Sequence, residues 1–169
     1  MGDAVNVDVI IAGLNDASQI VSAFDLDVIY NPGILTATGV AFGEMLGDLN
    51  ALPLPAAEAG AVLSAGRIDL WELSWLSDVE LSAFQPDSFS LATLTFIAVG
   101  AGATALEFDA GAPPGIDVKG FGANRLILDL ISSGSVTVAG GSNPVPAPTT
   151  VWLFLFGLIA LVKRQIENA

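Results

Sequence analysis

The sequence predicts an all-β sandwich. Three observations support this: short stretches in which apolar and polar residues alternate, turn signals recurring every ~8 to 12 residues, and the lack of a long amphipathic helical stripe. Alternation with a period of two puts every second side chain on one face of an extended strand, so one face is buried and the other is wetted. Val5, Val7, Val9 and Ile11 alternate with Asn6 and Asp8 in this way. Phe24, Leu26, Val28 and Tyr30 alternate with Asp25 and Asp27, which sends the apolar set into the core and both carboxylates into solvent. Tyr30-Asn31-Pro32-Gly33 then breaks the chain, because proline presets one turn dihedral and glycine permits the other. A third strand runs from Ile34 to Phe42.

Gly43 to Gly60, with Pro53, Pro55 and many alanines, reads as a long connection or a short helix. Between Gly66 and Leu76, Ile68, Leu70 and Leu76 share one parity, and Asp69, Trp71 and Trp75 the other. Ser90 to Val99 is a strong strand, rich in threonine and β-branched residues. Thr104 to Phe108, Leu126 to Leu130 and Val136 to Val138 complete a set of about eight or nine strands. Gly111 to Gly115 and Ser132 to Gly134 are turns. The sandwich is expected over residues 4–138, and a Gly/Pro-rich linker over 139–150.

The chain of 169 residues suits one domain with a proper core plus a tail. Asp and Glu number 18 against 5 Lys and Arg, a net charge of -13. Nucleic-acid binding is excluded, because neutralising phosphates needs clustered cations and only Arg67, Lys119 and Arg125 precede the tail. With Cys 0 and His 0 there is no disulfide, thiol nucleophile, imidazole metal ligand or histidine-based triad. Two acidic residues could in principle run a glycosidase, but nothing selects a pair, and the chain reads as a non-enzyme with no resident cofactor.

Two body sites stand out. Trp71 and Trp75 fall on one face of an extended strand and could stack on sugar rings, with Asp69, Glu72 and Asp78 accepting from sugar hydroxyls; the competing reading packs both rings on the core or under the Gly43–Gly60 connection. Asp109 and Asp117, across the Gly111–Gly115 turn, are the candidate calcium ligands, because loop carboxylates and carbonyls can converge there. Asp25 and Asp27, on one face of one strand, could bind calcium or act as acid and base, but read as residues that keep that face wet.

The tail differs from everything before it. A Pro-rich hinge leads to an apolar run from Val151 to Val162, and Lys163-Arg164 closes it with charges that are expensive to carry through hydrocarbon. The run is short: roughly a dozen residues make about 18 Å of helix against a ~30 Å hydrocarbon core. The expectation is a short C-terminal hydrophobic helix over 151–165 serving as a processable membrane anchor; a core helix is the competing reading. Met1-Gly2-Asp3 runs directly into a strand-like segment, so residue 1 is read as the start of a mature or engineered chain with an added Met-Gly.

Val145-Pro146-Ala147-Pro148, then Trp152 and Gly157 within the apolar run, then Lys163-Arg164, resembles the PEP-CTERM class of bacterial sorting signals over 144–165. Ala147 stands where that class usually has glutamate, and the chain continues from Gln165 to Ala169. The resemblance implies export, processing by an exosortase-type enzyme, transient inner-membrane anchoring, and delivery to the cell surface or extracellular matrix of a Gram-negative bacterium.

The body resembles a second family. Phe24-Asp-Leu-Asp-Val-Ile-Tyr30-Asn-Pro-Gly-Ile-Leu35, followed by Ser90-Leu-Ala-Thr-Leu-Thr-Phe96 and the strand Thr104 to Phe108, is similar to the cohesin-type jelly-roll sandwich. Asn31 replaces the usual aspartate. The two resemblances together imply a secreted or surface-bound protein of adhesion, matrix or biofilm assembly, or self-association. Its expected partners are the processing enzyme, exopolysaccharide, other surface proteins or copies of itself, and the membrane through the tail. The alternative is a carbohydrate-binding module using Trp71 and Trp75.

Overall fold

The computed structural model describes residues 1–15, 19–111 and 115–140, together with the backbone of 151–156. In chain order the elements are β1 (Ala4–Ala12), β2 (Ala23–Ile29), β3 (Leu35–Phe42), β4 (Ala57–Ser64), β5 (Arg67–Ser74), α1 (Asp78–Phe84), β6 (Ser88–Ala98), β7 (Gly102–Phe108), β8 (Ile116–Lys119), β9 (Leu130–Ile131), β10 (Gly134–Val138) and β11 (Val151–Phe156). The first sheet runs β3-β6-β1-β11-β9. The second runs β10-β7-β2-β5-β4, with β8 also paired to β2.

The core between the sheets is built from the predicted parity. Phe24, Leu26 and Val28 of β2 and Leu94 and Phe96 of β6 are all buried and join one cluster with Val5, Val7, Val9 and Ile11. Tyr30 closes the end of β2: its ring meets Phe96 edge-on at 5.2 Å, and its hydroxyl donates to the Ser64 carbonyl at 2.9 Å. Asn31 makes the following turn, its Oδ1 accepting from the Gly33 N–H at 2.9 Å. Strict alternation breaks in β6, where Leu91 has no partner in the register between Ala92↔Val9 and Ser90↔Ile10, so Leu91 and Ala92 are both buried. One extra residue at a bulge shifts the parity and keeps both flanks of the strand facing inward.

Several elements differ from expectation. The Gly43–Gly60 stretch runs into strand β4, whose alanines and Gly60 give little intrinsic strand preference; pairing along the whole of β5 makes it an edge strand. Helix α1 is short and locally specified, with Ser77 and Glu80 forming a reciprocal capping box. Strand β8 begins directly after Gly115 and pairs with β2. Of Leu126 to Leu130, only Leu130 is in a strand; Leu126 instead donates its N–H to Val118 at 2.7 Å.

The tail also differs where it is described. Val151–Phe156 is not helical but a strand lying parallel to β1, in register from Val7↔Val151 to Ala12↔Phe156. Its aromatic, leucine and valine composition suits an extended chain as well as an apolar helix, and the open edge of β1 supplies hydrogen-bond partners for its backbone. Val145, Pro146, Ala147, Pro148, Gly157, Lys163 and Arg164 lie outside the described residues.

Candidate functional site

The outer face of the second sheet carries the chemistry. Cross-strand pairs line up as Gly60↔Trp71↔Asp25↔Asp117 from β4 through β5 and β2 to β8, and beside them as Val62↔Asp69↔Asp27. Directly opposed residues point to the same side of a sheet, so carboxylates from three strands converge on one surface. Asp69 faces Asp27 across the β2–β5 pair, and Asp25 faces Asp117 across the β2–β8 pair. Like charges in such positions repel unless something neutralises them.

Arg67 is the neutraliser. Its Nε donates to Asp27 Oδ1 at 2.9 Å, Nη2 lies 2.6 Å from Oδ2, and Nη1 reaches Asp109 Oδ2 at 3.1 Å. The Nε bond is charge-assisted, and the Nη2–Oδ2 contact adds ion pairing without hydrogen-bond geometry. The pairing overturns the expected solvent position of Asp27, which is fully buried at 0% exposure. Asp25 is half-buried, and burial followed by repulsion from Asp69, Asp27 and Asp117 raises its pKa above the usual carboxylate value.

Asp109 and Asp117 belong to separate ion pairs. Asp109 is held by Arg67, whereas Asp117 lies 2.9 Å from Lys119 Nζ and 3.6 Å from Arg125 Nε. Among the described residues, no group of three or more acidic side chains is arranged to hold a metal ion. The cations of the body are thus all drawn onto this face, and the carboxylates still outnumber them.

Trp71 lies on the same face, packed on its β4 neighbour: a Cβ built on Gly60 would sit 3.0 Å from the indole ring atoms. A large ring laid over an edge-strand glycine replaces the packing that residue lacks. Trp75 falls beyond the end of β5, anchored by its N–H to the Ala56 carbonyl at 2.8 Å, with 61% of its surface exposed. One ring therefore covers a glycine and the other stands in solvent.

Sequence reasoning missed two further residues. Glu72, expected among the acceptors around the tryptophans, points into the sandwich at 1% exposure, and neither carboxylate oxygen has a hydrogen-bond partner among the described residues. Burial pushes its pKa up to about 8. Its position on the Ile68–Leu70 parity was the available signal. Gln85, just past α1, accepts from the Val21 N–H and donates to the Val21 and Met45 carbonyls, each at 2.8 Å. No local pattern marks it, because its partners lie 64 and 40 residues away in sequence.

Solved structures of similar shape decide the fold. The sixth cohesin of scaffoldin B from Acetivibrio cellulolyticus, in complex with a Cel5 dockerin mutant, matches with a TM-score of 0.58 at 15% identity, covering 82% of this chain and 90% of that one. The fold is cohesin-like. CaCohA2 from Clostridium acetobutylicum matches with a TM-score of 0.59 at 24% identity over 83% of this chain and 84% of that one. A type II cohesin domain from the A. cellulolyticus cellulosome matches with a TM-score of 0.56 at 17% identity, covering 75% and 80%. No protein-family model and no curated protein sequence matches the chain.

Proposed function

We propose that this cohesin-like domain is a non-catalytic protein-binding module of an exported bacterial surface protein, used in adhesion, matrix assembly or self-association. The observation that carries the reading is the acidic outer face of β5, β2 and β8, where Asp25, Asp69 and Asp117 crowd one surface around buried Asp27 and its partner Arg67, and the cations are already engaged. Such a surface attracts a partner with a basic patch and sets its orientation and rate of encounter. Among the matched structures, the scaffoldin B cohesin was captured with a dockerin, which agrees with a binding role for this fold. Copies of the acidic chain repel one another, so self-association on this face would need cations to screen it.

Processing by an exosortase-type enzyme and passage through the inner membrane of a Gram-negative cell belong to the same proposal, and rest on the PEP-CTERM-like tail. The test is capture from the native host's envelope by tagged wild-type chain and by the charge-reversed variant Glu58→Lys/Asp69→Lys, where exposed Glu58 shares the β4 parity of Gly60 and Val62 and so the same face. A specific protein partner should be lost with the variant and in high salt. Equal capture by both chains would overturn the acidic-face reading, and mature native protein that keeps the residues after Pro148 would overturn processing. The second reading, sugar stacking, has the exposed Trp75 in its favour; quenching of tryptophan fluorescence by exopolysaccharide tests it.

A further inference from the structure

The segment Val151–Phe156 has two incompatible uses. In the sheet its backbone pairs with β1 in parallel and, through Leu155↔Ile131 and Phe156↔Leu130, with β9 in antiparallel fashion, so it fills a slot between two strands. In sequence it is the first half of the apolar run that Lys163 and Arg164 close. A peptide group bonded to β1 cannot also bond within a membrane helix, where every backbone group must be satisfied internally.

The slot is built so that one segment can leave it. Among the described residues β9 pairs only with β11, and β1 keeps its full ladder with β6 whether or not β11 is present. β11 runs close to β10 but is not hydrogen-bonded into the second sheet. The linker 139–150 can extend to about 40 Å, so the segment can leave its seat without pulling on β10. Val151–Phe156 contains no charge, glycine or proline, the composition of a segment that aggregates when left uncovered.

We propose that the slot between β1 and β9 is a holding site for the chain's own C-terminal apolar segment, which leaves it to enter a lipid bilayer. The proposal rests on the reading of the tail as a membrane-entering segment. Docked, the backbone of the six residues is paired in the sheet while the chain is in water; released, the segment enters the bilayer with the rest of the run. The chain's acidity favours a bilayer without anionic headgroups.

The test uses the full chain, whose lack of cysteine makes an introduced pair unique. Asp8 and Trp152 are register partners, so Asp8→Cys/Trp152→Cys should form an intramolecular disulfide in lipid-free buffer, and the out-of-register pair Asp8→Cys/Phe156→Cys should not. The oxidised in-register variant should float with phosphatidylcholine vesicles at least ~10-fold less than the same variant reduced, and reduction should restore flotation. Val9→Cys/Leu153→Cys repeats the test one register step along, with thermal unfolding checking that each variant is folded. No cross-link in either in-register pair would overturn the slot while leaving the anchor reading intact. A cross-link with no flotation in any form would overturn the anchor reading and the exchange with it. Equal flotation of oxidised and reduced chains would overturn the exclusivity, and covalent dimers would show that the slot is filled from a second copy.

Discussion

Arg67 reaches diagonally from β5 to Asp27 on β2 and holds both carboxylate oxygens of a residue that is fully buried. The pairing turns a position that alternation alone assigns to solvent into the dry centre of an acidic surface. Asp27→Asn keeps the shape but removes the charge, and should lower stability by about 1.5–3 kcal/mol, the range for a hydrogen bond to a charged group. Arg67→Met should lower the melting temperature further, because it leaves a buried charge without its counterion. Thermal unfolding at neutral pH checks the order; Asp27→Asn more damaging than Arg67→Met would show that the pair is not what neutralises the face.

Glu72 should make stability fall with rising pH. Its carboxyl titrates at about 8 in the folded chain against 4.5 in the ordinary state, so the folded form holds a proton that the unfolded form has released across that window. The stabilisation is complete below about pH 4.5 and declines as pH rises through about 8, at no more than about 1.4 kcal/mol per unit. Asp25, raised in the same direction by burial and by its acidic neighbours, adds to the decline. Glu72→Gln should flatten the curve and raise the melting temperature most at pH 8; an unchanged slope would mean that Glu72 is hydrated when folded.

Gly60→Ala should dislodge Trp71. A Cβ at 3.0 Å from three ring atoms is tighter than ordinary contact, so the indole must move outward, at a cost of about 1–3 kcal/mol. Tryptophan emission should shift to the red as the ring gains solvent. Unaltered emission together with unaltered stability would show that the ring does not rest on Gly60.

Gln85→Ala should destabilise the end of the sandwich near Val21 and Met45. It removes three part-buried hydrogen bonds to backbone groups, for an expected loss of about 1–3 kcal/mol. Faster amide exchange at Val21 would localise the effect. Uniform exchange across the chain would point to a purely global loss.

Calcium and sodium at matched ionic strength should raise the melting temperature equally. Screening relieves the repulsion of a chain with a net charge of -13, whereas Asp109 and Asp117 are tied to Arg67 and to Lys119 with Arg125. A gain specific to calcium would show that the two carboxylates leave those partners to share an ion.

The strands were legible in the sequence wherever their hydrophobic period was strong. β1, β2, the centre of β6 and the turn at Asn31 follow from alternation and turn chemistry alone, because burial on one face imposes a period of two on the residues themselves. The capping box that starts α1 was also visible in Ser77 and Glu80, although the sequence reading passed over it. β4 was not visible, because alanine and glycine acquire strand geometry here only from the ladder with β5.

By itself, then, the sequence determined an acidic, cysteine-free β-sandwich with an apolar, basic-ended tail, since composition and periodicity are properties of the chain. Only the tertiary structure decided which carboxylates are dry. Asp27 and Glu72 are buried by strands and side chains distant in sequence, one with a counterion and the other without. Tertiary pairing also made Val151–Phe156 a strand, because an apolar segment can satisfy its backbone equally in a helix or on a sheet edge, and the open edge of β1 belongs to the folded domain rather than to the segment.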